Sequence, residues 1–259
     1  MCINERIRTE LDFIENNYDV RILYACESGS RSWGFESPDS DFDVRFVYVR
    51  PIKDYLRLED VRDVIEWPRI DDLDVNGWDL TKFLTLMRAS NPTVFEWLGS
   101  PIVYHEDSHW NLVRRASNDC FSPLKSAHHY LGMATHNYNE HMKRDSVRPK
   151  KVLYVIRAIL ACRHVTNRFS RPPVSFDELV DKWLEPEMAP IVEDLLKIKR
   201  SEAEDFTMSD ADRGFTLQMC KRWAAESLKT LNQDVLSLRR TEKCRWDDLN
   251  DVFLSFLGL

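Results

Sequence analysis

Strand-like patterning is confined to the first part of this chain, and that segregation limits its fold more than any other feature. Residues 21–26 (RILYAC) form a short apolar run that reads as a buried strand. Residues 41–49 (DFDVRFVYV) alternate with period two: Phe42, Val44, Phe46 and Tyr48 share one face, and Asp41, Asp43 and Arg45 the other. Residues 61–67 and 73–78 read as two further strands. An amphipathic helix over 4–17 precedes them, and two short helices, over 80–89 and 91–98, follow. Beyond Gly99-Ser100-Pro101 apolar residues recur at helical spacing over 110–116, 123–143, 149–165, 176–184, 189–200, 215–238 and 246–257. Only seven glycines occur in 259 residues, as such a helical half requires. Strands followed by a run of helices predict an α+β fold: a small sheet with flanking helices over 1–105, then an all-helical domain over 106–259.

Hydrophobic residues at 43% and charged residues at 31% exclude a disordered or fibrous chain. No run approaches a membrane span, and the start, MCINERIRTE, is too polar to read as a signal peptide, so a cytoplasmic protein is expected. The six cysteines (Cys2, Cys26, Cys120, Cys162, Cys220 and Cys244) are far apart without a C-x-x-C pair, which reads as reduced, mostly buried thiols. The net charge of −7 argues against bulk coating of nucleic acid, yet residues 143–171 hold nine Lys or Arg against one acid, Asp145.

Chemistry concentrates between Gly29 and Val44. A Gly-Ser turn follows a strand, ten residues intervene, and Asp41-Phe42-Asp43-Val44 opens the next strand. Residues i and i+2 on a strand point the same way, so Asp41 and Asp43 are expected side by side. Adjacent carboxylates repel unless a cation neutralises them, and Mg²⁺ takes oxygen ligands of this kind. The glycine turn offers backbone N–H groups to phosphate oxygens, and Ser30 adds a hydroxyl. A metal pair facing a phosphate cradle suits phosphoryl or nucleotidyl transfer. The alternative is a solvated acid pair on an edge strand beside a plain turn.

These residues resemble the signature of the DNA polymerase β nucleotidyltransferase superfamily. The longer string ESGSRSWGFESPDSDFDVRFVYV is similar to the RNA-repair-pathway DNA polymerase β family in particular. Two later blocks, GWDLTKFLTLMRASNPTVFEWLGSPIVY and KKVLYVIRAILACRHV, resemble that family's second and third blocks in the same order. The resemblance implies a polymerase-β-like catalytic sheet and a third carboxylate on a neighbouring strand, for which Asp79 is the matching position. Asp79 is equally placed to cap the helix that begins at Leu80, and Asp71, Asp72 and Asp74 compete nearby. The implied catalytic and metal set is Asp41, Asp43 and Asp79, holding two Mg²⁺ or Mn²⁺ ions.

The basic helix from Pro149 places Lys150, Tyr154 and Arg157 at i, i+4 and i+7, an expected exposed stripe bordered by Lys151. By analogy with the family this stripe joins Gly29, Ser30 and Arg31 in binding the nucleotide; otherwise it is a solvated face. Arg163 and Arg168 could extend it toward RNA. Trp33, inside the turn, either walls the nucleotide pocket or anchors the loop. The implied reaction transfers an NMP from an NTP, ATP first among them, to a hydroxyl with release of pyrophosphate, and the family name points to an RNA 3′ end. Transfer to a protein or small molecule, a non-catalytic nucleotide or RNA sensor, and a metal-dependent phosphohydrolase are the alternatives.

Overall fold

The computed structural model describes residues 2–201, 208–239 and 244–259. Helix α1 (Ile3–Tyr18) leads into β1 (Arg21–Ser28), the five-residue α2 (Gly29–Trp33), β2 (Phe42–Val49), α3 (Ile52–Tyr55), β3 (Val64–Glu66) and β4 (Leu73–Asp79). Then come α4 (Leu80–Arg88), α5 (Pro92–Leu98), β5 (Val103–Glu106), α6 (Asn111–Cys120) and α7 (Pro123–Asn137). Strand β6 (Ser146–Val147), α8 (Pro149–Arg168), α9 (Phe176–Trp183), α10 (Ala189–Ser201), β7 (Met208–Ser209), α11 (Asp210–Leu236) and α12 (Trp246–Leu257) complete the chain. The fold is α+β, and no described helix is long and apolar enough to cross a membrane.

The chain forms two compact units. The first holds Met1–Ser32, Asp41–Phe121 and Glu242–Leu259; the second holds Trp33–Ser40 and Ser122–Thr241. These boundaries differ from a division at residue 105, for a packing reason. Helices α6 and α12 bury Val113, Cys120, Leu249 and Phe256 in the apolar cluster that also contains Leu23, Val47 and Val49 of the sheet. Trp33–Ser40, in turn, belongs with helices of the second unit, where Phe35 meets Phe176 with ring centroids 5.1 Å apart.

The first unit is built on a five-stranded sheet in the order β3-β4-β2-β1-β5. Strands β1 and β2 are antiparallel from Arg21↔Val49 to Ser28↔Asp43, and β2 and β4 are parallel from Phe42↔Leu73 to Tyr48↔Asp79. Two-fold alternation along β2 sorts its side chains as the sequence predicts. Val44, Phe46 and Tyr48 pack with Ile7, Leu11 and Ile14 of α1. Val47 and Val49 point the other way, into the cluster formed with Leu80, Phe83, Met87 and Trp110. The same face carries Asp43 and Arg45 nearer the start of the strand, where they are 30% and 18% exposed. Edge strand β5 has no two-fold apolar alternation and was not foreseen; the expected strand over 61–67 shrinks to three residues.

The cysteine expectation is corrected at one pair: Cys120 and Cys244 form a disulfide, while Cys2, Cys26, Cys162 and Cys220 are free. The bonded pair is separated by 124 positions, so no local spacing announces it. It joins the end of α6 to the segment before α12, the two points at which the chain leaves and re-enters the first unit. Closing so long a loop restricts the unfolded chain, and Cys120→Ser is expected to cost about 2–4 kcal/mol of stability. Thermal unfolding with and without reductant checks this; coincident midpoints would show that the bond contributes nothing.

Helix α8 is the spine of the second unit. Val152, Leu153, Val155, Ile156, Ile159 and Leu160 are all fully buried, so the helix is enclosed on nearly every side.

Candidate active site

Gly29 lies where β1 ends and the chain turns back toward β2. Its φ of 62° falls in the left-handed region that favours glycine. A Cβ at this position would also run into Asp43 Oδ2, because the Ser28↔Asp43 register brings the turn against that carboxylate. Ser30 is buried, and the Ser32 hydroxyl donates to the Gly29 carbonyl at 2.9 Å. Arg31 folds back on the opposite side of the motif. Its Nε donates to the Asp41 carbonyl at 3.1 Å, and its guanidinium lies 3.7 Å from the centroid of the Phe42 ring. Gly29, Ser30, Arg31, Asp41 and Asp43 therefore meet within the first unit.

The carboxylates are held by arginines. Arg45 Nη2 bonds Asp43 Oδ1 at 3.0 Å and Asp74 Oδ2 at 2.8 Å, while Asn76 donates to Asp74 Oδ1 at 2.6 Å. Arg69 pairs with Asp41 at 2.7 Å. Behind them sits Glu27, only 1% exposed on β1. It accepts the Asp43 backbone N–H at 2.7 Å and the Tyr104 hydroxyl, fixing the backbone from which Asp43 projects. Burial pushes the Glu27 carboxyl above its usual range, against the lowering effect of those two donors.

Asp79 does not join this group. In the parallel register Asp43 faces Asp74, and Asp79 faces Tyr48, five residues or about 16 Å farther along the strand. Asp79 is 2% exposed and caps α4, accepting the Thr81 N–H at 2.9 Å, the Thr81 hydroxyl at 2.7 Å and the Tyr55 hydroxyl at 3.0 Å. Of its two sequence readings, the helix cap is the one realised. The carboxylate beside Asp43 on the neighbouring strand is Asp74.

Lys150, Lys151, Tyr154 and Arg157 belong to the second unit, on α8. The expected exposed stripe is not realised: Lys150, Lys151 and Tyr154 are half-buried, and Arg157 is 3% exposed and stacks 4.0 Å from the centroid of the Trp33 ring. Tyr154 meets the same indole edge-on at 5.3 Å. Trp33 thus anchors its segment to this helix. Lys151 lines a cavity of about 330 Å³ with His141, Arg144 and Arg148. Arg163 is taken up structurally, bonding the Trp183 carbonyl, Glu185 and the Ser227 hydroxyl, so it does not extend a basic face.

Sequence reasoning passed over Glu27, Tyr104 and Arg45 and left Asp74 among competitors. The available signal for Asp74 was its place between Leu73 and Val75, an acid inside an apolar strand. Asp41, Asp43 and Asp74 are hard oxygen donors that suit Mg²⁺ or Mn²⁺, and the Asp43 oxygen not bonded to Arg45 faces the glycine turn. Among the described residues no three metal-binding side chains are already gathered as a cage. Gly29→Ala, by forcing Asp43 aside, is expected to weaken Mn²⁺ binding about tenfold, or 1.4 kcal/mol; a calorimetric titration matching the unmodified protein would refute the contact.

The chain matches the RNA repair pathway DNA polymerase beta family over residues 3–255. It is 37% identical over 255 residues to the uncharacterized protein YcgL of Bacillus subtilis (strain 168), covering 98% of this chain and 96% of that one. A solved structure, a nucleotidyltransferase-like protein from Exiguobacterium sibiricum 255-15, aligns over 90% of this chain and 75% of its own at 12% identity and a TM-score of 0.33. On the extent of the family match, the chain belongs to the RNA repair pathway DNA polymerase beta family, a family of polymerase-beta-like nucleotidyltransferases.

Proposed function

We propose that this protein transfers a nucleoside monophosphate from a nucleoside triphosphate, with ATP the first to test, to an RNA 3′ hydroxyl. The observation that carries the reading is the closure of the Gly29 turn on Asp43, with Asp74 in register beside it. Asp41, Asp43 and Asp74 would hold two Mg²⁺ or Mn²⁺ ions. Once bound, such ions supply Lewis acidity to the phosphoryl oxygens and favour ionisation of the acceptor hydroxyl. Gly29 and Ser30 would receive the leaving phosphates on backbone N–H groups and the Ser30 hydroxyl, and Arg31 would add positive charge beside them. Glu27 and Arg45 hold Asp43 in place from behind and from the side. The acceptor oxygen bonds to the α-phosphorus as the bond from that phosphorus to the bridging oxygen breaks, releasing pyrophosphate.

Lys150 and Lys151 are proposed phosphate contacts on the family resemblance alone. Tyr154 and Arg157, committed to Trp33, are assigned an anchoring role instead of a nucleotide contact. The test is incubation with each α-³²P-NTP, Mg²⁺ or Mn²⁺, short RNAs and total cell protein, beside the Asp41→Ala/Asp43→Ala variant. Carboxylate-dependent label in RNA supports the reading, and label in protein moves the acceptor. No label in any fraction, with Mg·NTP binding intact, overturns transfer to either macromolecule.

A further inference from the structure

The two halves of the signature are already brought together by the β1–β2 ladder, and joining antiparallel strands takes only a few residues. This chain instead sends Trp33–Ser40 into the second unit. The segment is a loop whose Gly34, Pro38 and Asp39 are exposed, yet three of its residues are buried. Phe35, Ser37 and Ser40 are 1%, 2% and 4% exposed. The Ser37 and Ser40 hydroxyls lie 2.9 Å apart, and Ser40 Oγ accepts the Ser37 N–H at 2.9 Å. Lys199 of α10, itself 6% exposed, donates from Nζ to Ser37 Oγ at 3.0 Å. Next to it Arg200 donates to the Gly34 carbonyl at 3.2 Å. At the front of the segment, Trp33 is held by Arg157 and Tyr154.

The segment is therefore fixed at two points by cations of long helices, Arg157 at Trp33 and Lys199 at Ser37. Both ends of the anchored segment lead directly into site residues: Trp33 follows the turn of Gly29, Ser30 and Arg31, and Ser40 precedes Asp41. We propose that Lys199 is a positioning residue for the nucleotide site. Through Ser37 it fixes the segment that joins the phosphate turn to the carboxylate pair, so the anchoring of that segment sets how well the site binds metal and nucleotide. Arg157 does the same from the Trp33 end. This assigns work to α10, for which the sequence suggested none, and it rests on the proposed site at Gly29, Asp41 and Asp43.

Calorimetry on the full-length protein tests it, with Mn²⁺ and with Mg·ATP as titrants. Lys199→Met and Ser37→Ala are each expected to weaken Mg·ATP binding about tenfold. Lys199→Arg restores most of the loss, because the cation that reaches Ser37 is retained. Ser37→Ala removes a single oxygen and decides the matter if Lys199→Met fails to fold. A lowered unfolding temperature with unchanged affinity in both variants would make the contact a tether only and overturn the proposal. Binding lost in Asp41→Ala/Asp43→Ala but retained in Lys199→Met and Ser37→Ala would overturn this inference and leave the site reading standing. Unchanged binding in Asp41→Ala/Asp43→Ala would remove the site reading and this inference with it.

Discussion

Asp43→Asn is expected to reduce nucleotide transfer by at least about a thousandfold while leaving the fold intact. The substitution keeps shape and one oxygen but removes the negative charge on which a divalent cation depends. The fold should survive because the Asp43 side chain is 30% exposed, and its backbone N–H bond to Glu27 does not involve the side chain. Arg45 loses one of its carboxylate partners but keeps Asp74 at 2.8 Å and the carbonyls of Val44 and Asp74, each at 3.1 Å. Asp41→Asn is expected to act in the same direction, with still less structural consequence, since the Asp41 side chain is 41% exposed and its carboxylate pairs with Arg69 at the surface. Three readings on each variant check this: initial rate of label transfer, Mn²⁺ affinity, and thermal midpoint. A rate within about tenfold of the unmodified protein would remove Asp43 from the chemistry.

Much of this site was legible because its logic is local. The alternation of DFDVRFVYV fixes which residues share a face of β2, and that sorting holds through both apolar clusters of the first unit. Gly29-Ser30 follow β1 directly and Asp41-Phe42-Asp43 open β2, its antiparallel neighbour, so chain order alone brings them close. What was not legible depends on distant pairing. Choosing between Asp74 and Asp79 requires knowing that β4 runs parallel to β2 and in which register, and a shift of five residues separates the two answers. Helical spacing finds a stripe at Lys150, Tyr154 and Arg157, but spacing cannot say that α8 is enclosed and that Trp33 covers Arg157. Trp33–Ser40 reads as a turn-rich connection; the burial of Phe35, Ser37 and Ser40 involves partners far along the chain, such as Phe176 and Lys199. The Cys120–Cys244 bond closes across 124 positions for which no motif speaks.

The same register yields a paired prediction in which two acids of one strand have opposite consequences. Asp74→Ala should lower transfer by on the order of a hundredfold to a thousandfold and change stability by no more than about 0.5 kcal/mol. Its side chain is 33% exposed, and its partners Arg45 and Asn76 are polar residues within reach of water. Asp79→Ala should do the reverse. It removes the cap of α4 and leaves the Tyr55 hydroxyl, the Thr81 hydroxyl and the Arg50 guanidinium, 3.8 Å away, without their buried acceptor. A lost cap and a stranded buried donor together cost about 2–3 kcal/mol, which denaturant unfolding resolves. Mn²⁺ affinity of the folded Asp79→Ala protein should match that of the unmodified chain, because the substitution lies about 16 Å from Asp43 along the sheet. The opposite outcome, metal binding lost in Asp79→Ala and kept in Asp74→Ala, would mean that the third ligand comes from the far end of β4. In that event the register that places Asp74 beside Asp43 would not be the one that assembles the site.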